Sequence, residues 1–513
     1  MGVRIFAAID VGSYETMMNI YELSGTNKMK KVDSISRRID LGSDTYAHGK
    51  IGKEKMDELC RTLADFARIK SSYHAQDYKA YGTSAFREAD NPLVLKDQIA
   101  LRTGLEVDVL SNSEQRFLDY KSIASKGAEF TRIIEDKAAI VDIGGGSIQI
   151  SLFDKDTLVS TQNIRIGVLR IQEIIQHLNV KNQQKEKLID ELISTQLSNF
   201  KKMYLKDREL QSIIVVDDYI SLWAMKRSKG SDKSVVTLDE LEKLVEMMHT
   251  HNTSEIAAKF DIPEEKIQLV MISAIMLKRI IKITEAQNLW VPGVTLCDGI
   301  AYEYGEQIGM FGKDHDFEQD ILACAMNISK RYQCSKKRYE MLDNLSTIFF
   351  DSTRKIHGLG KRERLYLRIA SILLDCGNYI SMVDVGENSY NIILSTEIIG
   401  LSHLERLLVA SIVRYSHGKF SYYYGQEDLS WLNSEDYLVV AKLTAILRLA
   451  NSLAKTGKQK ITSVQAKIND DRFLIQVDCP EDLTLEKNFL EGNAEFFREV
   501  FSIEPVLMQR KQI

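Results

Sequence analysis

Two short stretches of the chain end an apolar run in an aspartate and follow it, two residues later, with a glycine. They are AAIDVGS, residues 7–13, and AAIVDIGGGS, residues 138–147. Each offers a carboxylate, Asp10 or Asp142, beside a turn: Gly12 and Ser13 in the first copy, Gly144, Gly145, Gly146 and Ser147 in the second. Glycine permits positive φ and a close approach of backbone to ligand. Successive N–H groups pointing into a turn make an anion nest. An aspartate at the strand end is suited to hold Mg²⁺ or to order its waters. Two such turns facing each other would clamp a phosphate from both sides. Either copy alone reads equally as an ordinary hairpin turn. The duplication, with each copy opening its own α/β block, favours the phosphate reading. A dinucleotide site is excluded, because it needs a helix directly after the glycines. Residues 147–153 instead alternate polar and apolar, as a strand does.

The elements expected around these turns fall into four blocks. In residues 1–126, strands are expected at 4–10, 16–23, 29–39, 78–82 and 107–110. Helices are expected at 53–72, 92–103 and 113–125. The helix at 53–72 carries Met56, Leu59, Leu63, Phe66 and Ile69 on one face. Residues 127–312 read as strands at 138–143, 147–153, 157–164, 212–216 and 291–297. Helices are expected there at 167–178, 185–204, 238–249, 264–285 and from 298. Residues 313–455 show helical periodicity only. Residues 456–513 read as a hairpin, 461–468 with 473–477, then a helix at 482–501 and a strand at 506–509. The duplicated Asp-hairpin resembles the two phosphate loops of the actin-like superfold. The expected fold is therefore α/β: two actin-like (ribonuclease H-like) domains, an all-α domain and a small α+β domain.

Composition narrows the class. The chain has 513 residues, 44% hydrophobic and 27% charged, which is the balance of a folded globular protein. Its 67 basic and 72 acidic groups leave a net −5, so no global positive field points to nucleic acid. Only five prolines exclude long Pro-rich linkers. The six cysteines form no C-x-x-C pair, which leaves zinc ribbons unsupported and suits a reducing compartment. The longest unbroken apolar run, about 269–277, is too short for a bilayer. A cytoplasmic protein without a membrane span is expected.

Further segments carry a family resemblance. AAIDVGS, YGTSAFREADN (81–91), DVLSNSEQRF (108–117), VDIGGGSIQI (141–150) and IRIGVLRI (164–171) occur in this order. They resemble the motifs of the exopolyphosphatase / guanosine pentaphosphate phosphatase family. Weaker likenesses, CDGIAYEYG (297–305), IASILLDCGNYI (369–380) and LTAILRLANSLA (443–454), extend it almost to the end of the chain. The resemblance implies Mg²⁺-dependent removal of the terminal phosphate from inorganic polyphosphate or guanosine pentaphosphate, and a homodimer. It assigns Glu114 as general base and a metal-side carboxylate, Asp142 as a metal-binding and water-organising group, and Arg87 and Ser84 as phosphate-holding residues. It also makes the 313–455 block an HD-type domain. Read without the family, Ser111-x-x-Glu114 is a helix capping box, Arg87 is a surface ion pair with Glu88 or Asp90, and Ser84 caps a turn.

The chain also departs from the family pattern. The family's glutamate after G-G-G-S-T is Gln149, which can bond water or phosphate but cannot act as a base. Tyr14 and Glu15 replace Asn and Ser in the first loop; Glu15 could face phosphate or metal. Asp217-Asp218 replaces a Gly-Gly turn, which argues against a kinase adenine site. The HD pair reads Leu374-Asp375, and the family's later His-Ser reads Asn388-Ser389. With only His357, His403 and His417 nearby, this block is expected to hold no catalytic metal. Residues 330–368 carry eleven basic and four acidic groups, a local +7. This segment, Lys336, Lys337 and Arg338 above all, is expected to draw in a polyphosphate chain. The leading reading is an exopolyphosphatase. The alternatives are a guanosine pentaphosphate phosphatase at the same site, or a weakly catalytic polyphosphate or nucleotide sensor.

Overall fold

The computed structural model describes residues 2–25, 28–155, 157–178, 182–227, 234–312, 315–422, 432–456, 458 and 460–510. They form two compact units, Met1–Asp316 and Phe317–Ile513. The four-part division expected above is finer than this, and residues 313–314 at its second boundary lie outside the described residues.

The first unit holds two sheets. One contains β1 (Arg4–Val11), β2 (Glu15–Ser24), β3 (Lys28–Arg38), β4 (Asp77–Gly82) and β5 (Asp108–Val109), in the order β3-β2-β1-β4-β5. The other contains β6 (Ala138–Ile143), β7 (Ile148–Asp154), β8 (Thr157–Ile164), β9 (Ser212–Val216), β10 (Val235–Val236) and β11 (Asn288–Trp290), in the order β10-β11-β9-β6-β7-β8. Read from the meander outward, β8-β7-β6-β9-β11 repeats β3-β2-β1-β4-β5, with two antiparallel pairings followed by two parallel ones. This duplicated order is that of the actin-like superfold. The pattern of side chains explains it. The central strands β1 and β6 are covered on both faces and are almost wholly apolar. β3 lies at an edge, and its lysines and arginines keep it exposed. Helix Lys53–Ser72 seals the first sheet with Leu59, Leu63 and Phe66, and helix Glu264–Thr284 runs buried through the core of the second.

Two features differ from the sequence reading. Five helices of five to nine residues, Leu41–His48, Ser84–Glu88, Ala128–Ile134, Asp218–Lys226 and Thr253–Phe260, were not expected. At that length, periodicity carries little signal. The last strand was expected at 291–297 but is Asn288–Trp290, and the next helix already starts at Leu296. β11 is flanked by β9 and β10, so Pro292, without an N–H, ends it. Thr295 then caps the helix, its N–H donating to Asp298 Oδ2 at 2.7 Å.

The second unit is helical from Phe317 to Ala454 and ends in a three-stranded sheet. Its order is β12 (Ser463–Asn469), β13 (Arg472–Asp478) and β14 (Glu504–Arg510), with helix Thr484–Phe501 joining the parallel pair β13 and β14. Among the described residues, one helix, Ser434–Ala454, is long and apolar enough to cross a membrane, and 67% of its apolar stretch is buried inside the structure. Lys442 and Arg448 interrupt it, which is why an unbroken-run criterion passes over it.

Candidate active site

The two aspartate turns are built alike. Gly12 N–H donates to Glu15 O at 3.0 Å, and Gly144 N–H donates to Ser147 O at 2.9 Å. Val11 pairs with Thr16 and Ile143 with Ile148, so Asp10 and Asp142 occupy equivalent places, opposite Met17 and Gln149. The expected use of positive φ is not what these glycines supply, since none of Gly12, Gly144, Gly145 and Gly146 has it. Close approach is the reason for three of them. A Cβ on Gly12 would lie 2.6 Å from Glu15 O, one on Gly145 2.8 Å from Leu169 Cδ1, and one on Gly146 2.6 Å from the Tyr46 hydroxyl.

The turns meet across the cleft. Ser13 Oγ accepts from Ala85 N–H at 3.1 Å and lies 2.8 Å from Ser84 Oγ and 3.0 Å from the Tyr46 hydroxyl. Gly145 packs against Ser13, and Gly146 against Ser84 and Tyr46. Gly146→Ala is therefore expected to push Tyr46 away from Ser13 and Ser84. The expected cost is about 1–3 kcal/mol of stability, with a raised KM for phosphate substrates. Thermal melts and initial rates would check this.

Between the turns lies a cavity walled by six carboxylates: Asp10, Glu15, Asp119, Asp142, Asp217 and Asp218. Gly12, Ser13, Ser84, Gly144 and Gly145 also line it. Burial, then the charges of Asp218 and Asp142, push the Asp10 carboxyl up to about 8. Asp142 is raised by burial and by Asp218, with Arg116 and Arg87 acting against the rise. Asp119 is held well above the ordinary carboxylate range by burial and by Asp142 and Asp10. One oxygen of each, Asp10 Oδ1, Asp119 Oδ2 and Asp142 Oδ2, is buried without a hydrogen-bond partner.

Such a donor set fits a hard divalent cation. Among the described residues no group of three or more His, Cys, Asp or Glu side chains is placed to hold a metal ion. Mg²⁺ does not require one, because it is typically held by one or two carboxylates together with waters and substrate phosphates. The orphaned oxygens of Asp10 and Asp142, one beside each turn, are the donors that fit it.

Helix Asn112–Ala124 presents Gln115 and Asp119, four residues apart, to the cavity. Glu114 does not line it. Its backbone N–H donates to Ser111 Oγ at 3.2 Å, and its Oε2 accepts from Ser111 N–H at 2.9 Å, the two halves of the capping box. Arg87 reaches toward the same helix, donating to Leu110 O at 2.6 Å and Gln115 Oε1 at 3.3 Å. Of the Asp pair, Asp217 caps helix Asp218–Lys226, accepting from Tyr219 N–H at 2.7 Å and Ile220 N–H at 3.0 Å. Asp218 faces the cavity. Sequence reasoning missed Asp119, whose only signal was an aspartate on a helix that proves largely buried.

A family model described as the Ppx/GppA phosphatase family matches residues 20–307, more than half of the chain. The chain belongs to the Ppx/GppA phosphatase family. A second model, for domain III of Ppx/GppA phosphatases, matches residues 322–494. A guanosine-5'-triphosphate,3'-diphosphate pyrophosphatase of Photobacterium profundum is 21% identical over 86% of each chain. Exopolyphosphatase 1 of Mycobacterium tuberculosis is 28% identical over 28% of this chain and 40% of its own. Among solved structures, the Aquifex aeolicus Ppx/GppA family member aligns with a TM-score of 0.50 at 18% identity, covering 60% of this chain and 99% of its own. An exopolyphosphatase of Cytophaga hutchinsonii gives 0.50 at 18%, covering 60% of this chain and all of its own. Both share the fold.

Against the Ppx/GppA motifs quoted above, the departures now have surroundings. Gln149 is buried and accepts from Arg116 Nε at 2.9 Å. The Arg116 charge also acts on Asp142, against the rise that burial causes. The second Glu of the family's E-E pair is Gln115, the very residue on the cavity wall. Glu15 pairs with Lys266 at 2.8 Å, and Tyr14 lies under the Arg38 guanidinium at 4.9 Å. Ser147 is buried at the base of its turn.

The basic segment of the second unit needs correcting. Lys336 pairs with Glu340 at 3.5 Å, and Lys337 is exposed. Arg338 is not a surface cation: it donates to Asp375 at 2.5 Å, Asn451 Oδ1 at 2.9 Å and Ala454 O at 2.5 Å. Arg362, Arg364 and Arg368 pair with Glu405, Asp351 and Asp343. Two of these acids, Asp375 and Glu405, lie outside residues 330–368, so the +7 overstates the field. Arg338→Ala should cost about 2–3 kcal/mol by leaving Asp375 unpaired, measurable by denaturant unfolding. Arg338 occupies the aspartate that would belong to an HD pair. His357 Nε2 and His417 Nε2 donate to Phe350 O and Leu374 O, both at 2.9 Å.

Proposed function

We propose that the protein is a phosphoric anhydride hydrolase that releases terminal orthophosphate from inorganic polyphosphate by Mg²⁺-assisted attack of water. The observation that carries this is the pair of equivalent Asp–Gly turns closing on one cavity whose buried carboxylate oxygens lack partners. The N–H groups that follow Gly12 and Gly144 in the two turns, those of Ser13, Gly145 and Gly146, with the hydroxyls of Ser13 and Ser84, would receive the terminal phosphate. Asp10 and Asp142, with waters and substrate oxygens, would hold Mg²⁺, which when bound supplies charge neutralisation at the phosphoryl oxygens. Arg87 stands on the Gln115 side of the cavity and adds fixed positive charge. By the family resemblance Glu114, beside the cavity-lining Gln115, would orient the attacking water and take its proton once its carboxylate turns from the Ser111 cap.

Guanosine pentaphosphate hydrolysis at the same site is the second reading. It is favoured by the relative matched over 86% of both chains, which carries the pyrophosphatase name. The six cysteines, all free thiols, support a cytoplasmic setting. A homodimer and an HD-like helical domain from 313 to 455 complete the proposal. The test is orthophosphate release from polyphosphate and from guanosine pentaphosphate, with Mg²⁺ and with a chelator. Release from the first alone, Mg²⁺-dependent, is the expected result. Release from neither, with binding retained, would replace the hydrolase by a sensor.

A further inference from the structure

We propose that the pocket behind Tyr46 is an orthophosphate exit site, divided from the catalytic cavity by that side chain and the two wall serines it holds, Ser13 and Ser84. The inference rests on the reading that the cleaved group is a terminal phosphate. On the cavity side, Tyr46 holds the wall together: its hydroxyl lies 3.0 Å from Ser13 Oγ and 3.1 Å from Ser84 Oγ. On the other side, the same residue lines a pocket with Arg165, Arg170, Ile174 and His177. Arg170 places its guanidinium 4.4 Å from the centre of the Tyr46 ring, and its Nε donates to Gly146 O at 2.9 Å. It is also paired with Glu88. Arg165 is exposed at the pocket rim. One acid, Glu173, is present, 3.9 Å from His177 Nε2. Two arginines and a histidine over isoleucines form a surface for a small, doubly charged anion.

The need for such a site follows from the chemistry. An exo-acting hydrolase receives the end of its chain against the glycine turns. After cleavage the orthophosphate lies between those turns and the remaining polyanion, which still fills the cavity. Its own route out is blocked until the chain leaves. The barrier on the other side is thin. Tyr46 is held to Ser13 and Ser84 by two hydroxyl–hydroxyl bonds, each worth about 1 kcal/mol net. A swing of its ring would release the Ser13 and Ser84 hydroxyls and open the way past them into the pocket, where Arg170 and Arg165 would draw the anion through.

The test uses the full chain and two variants that touch no residue of the catalytic cavity. Ile174→Trp narrows the pocket at a position 41% exposed, and Arg165→Glu reverses the charge at its rim. With long-chain polyphosphate and Mg²⁺, rapid quench reports orthophosphate formed, and a fluorescent phosphate-binding protein reports orthophosphate released. The expected result is unchanged formation in the first turnover and release slowed about tenfold in both variants. With tripolyphosphate, whose short product leaves by the cavity mouth, the variants should match the parent. Release keeping pace with formation on long chains in both variants would overturn the exit. Slowing that is equal on long and short substrates would overturn it too. A parent that forms no orthophosphate from either substrate would instead overturn the hydrolase reading on which it rests.

Discussion

Asp10→Asn is expected to make the metal-free protein more stable at pH 8 while lowering kcat/KM by about 10³ or more. The sign follows from linkage. The Asp10 carboxyl has its ordinary value of 3.8 when unfolded and about 8 in the folded chain. Between those values the folded state holds a proton that the unfolded state has lost. Stability therefore falls as pH rises from about 4 to about 8, by up to about 1.4 kcal/mol per unit for one such group. Asn carries no proton to lose and removes that slope. Mg²⁺ acts in the opposite direction, because it binds the folded carboxylates and adds about 2.7 kcal/mol at a hundred times its Kd. The parent melted in chelator should thus lose stability from pH 5 to pH 8 and regain it with Mg²⁺, whereas Asp10→Asn should lose less, because only the raised Asp142 and Asp119 carboxyls still titrate, and should regain less with Mg²⁺. Calorimetry at the two pH values, with and without Mg²⁺, measures both. A parent whose melting point is the same at pH 5 and 8 in chelator would show that the carboxylates carry no strain for a cation to relieve.

Much of this site was legible in the residues because the duplication makes the argument twice. Asp10 and Asp142 each end an apolar strand, and the same turn follows each. Hairpin closure and carboxylate position could be read from two segments of ten residues or fewer. What could not be read depends on distant parts of the chain. Asp119 matters because it is buried against Asp142, and nothing near position 119 announces that. Tyr46 belongs to an eight-residue helix whose periodicity is too short to register. Arg338 looked like one cation among eleven, and only folding brings Asp375 and Asn451 to it. Charge counted along a segment omits the acids that tertiary structure places beside it. The turn glycines are required by close contact with Glu15, Leu169 and Tyr46, rather than by an unusual φ.

Glu114 is where the two readings of one motif can be separated by a single atom type. The structure gives it a capping role through Oε2; the resemblance gives it a catalytic one. Gln at the same helix position completes a capping box as Glu does, yet it cannot accept a proton. Glu114→Gln is therefore expected to melt like the parent and to lose about 10²–10⁴ in kcat. Glu114→Ala should lose the same rate and, in addition, about 1 kcal/mol of stability from the broken cap. The pair of variants divides stability from chemistry, which Ala alone cannot do. If Glu114→Gln kept its kcat, the residue would be a cap only. The water would then have to be ordered from the cavity wall itself, where Asp119 is the carboxylate on the same helix. Asp119→Asn would carry the rate loss in that case. The raised proton affinity of Asp119 would then place the alkaline rise of activity above the ordinary carboxylate range.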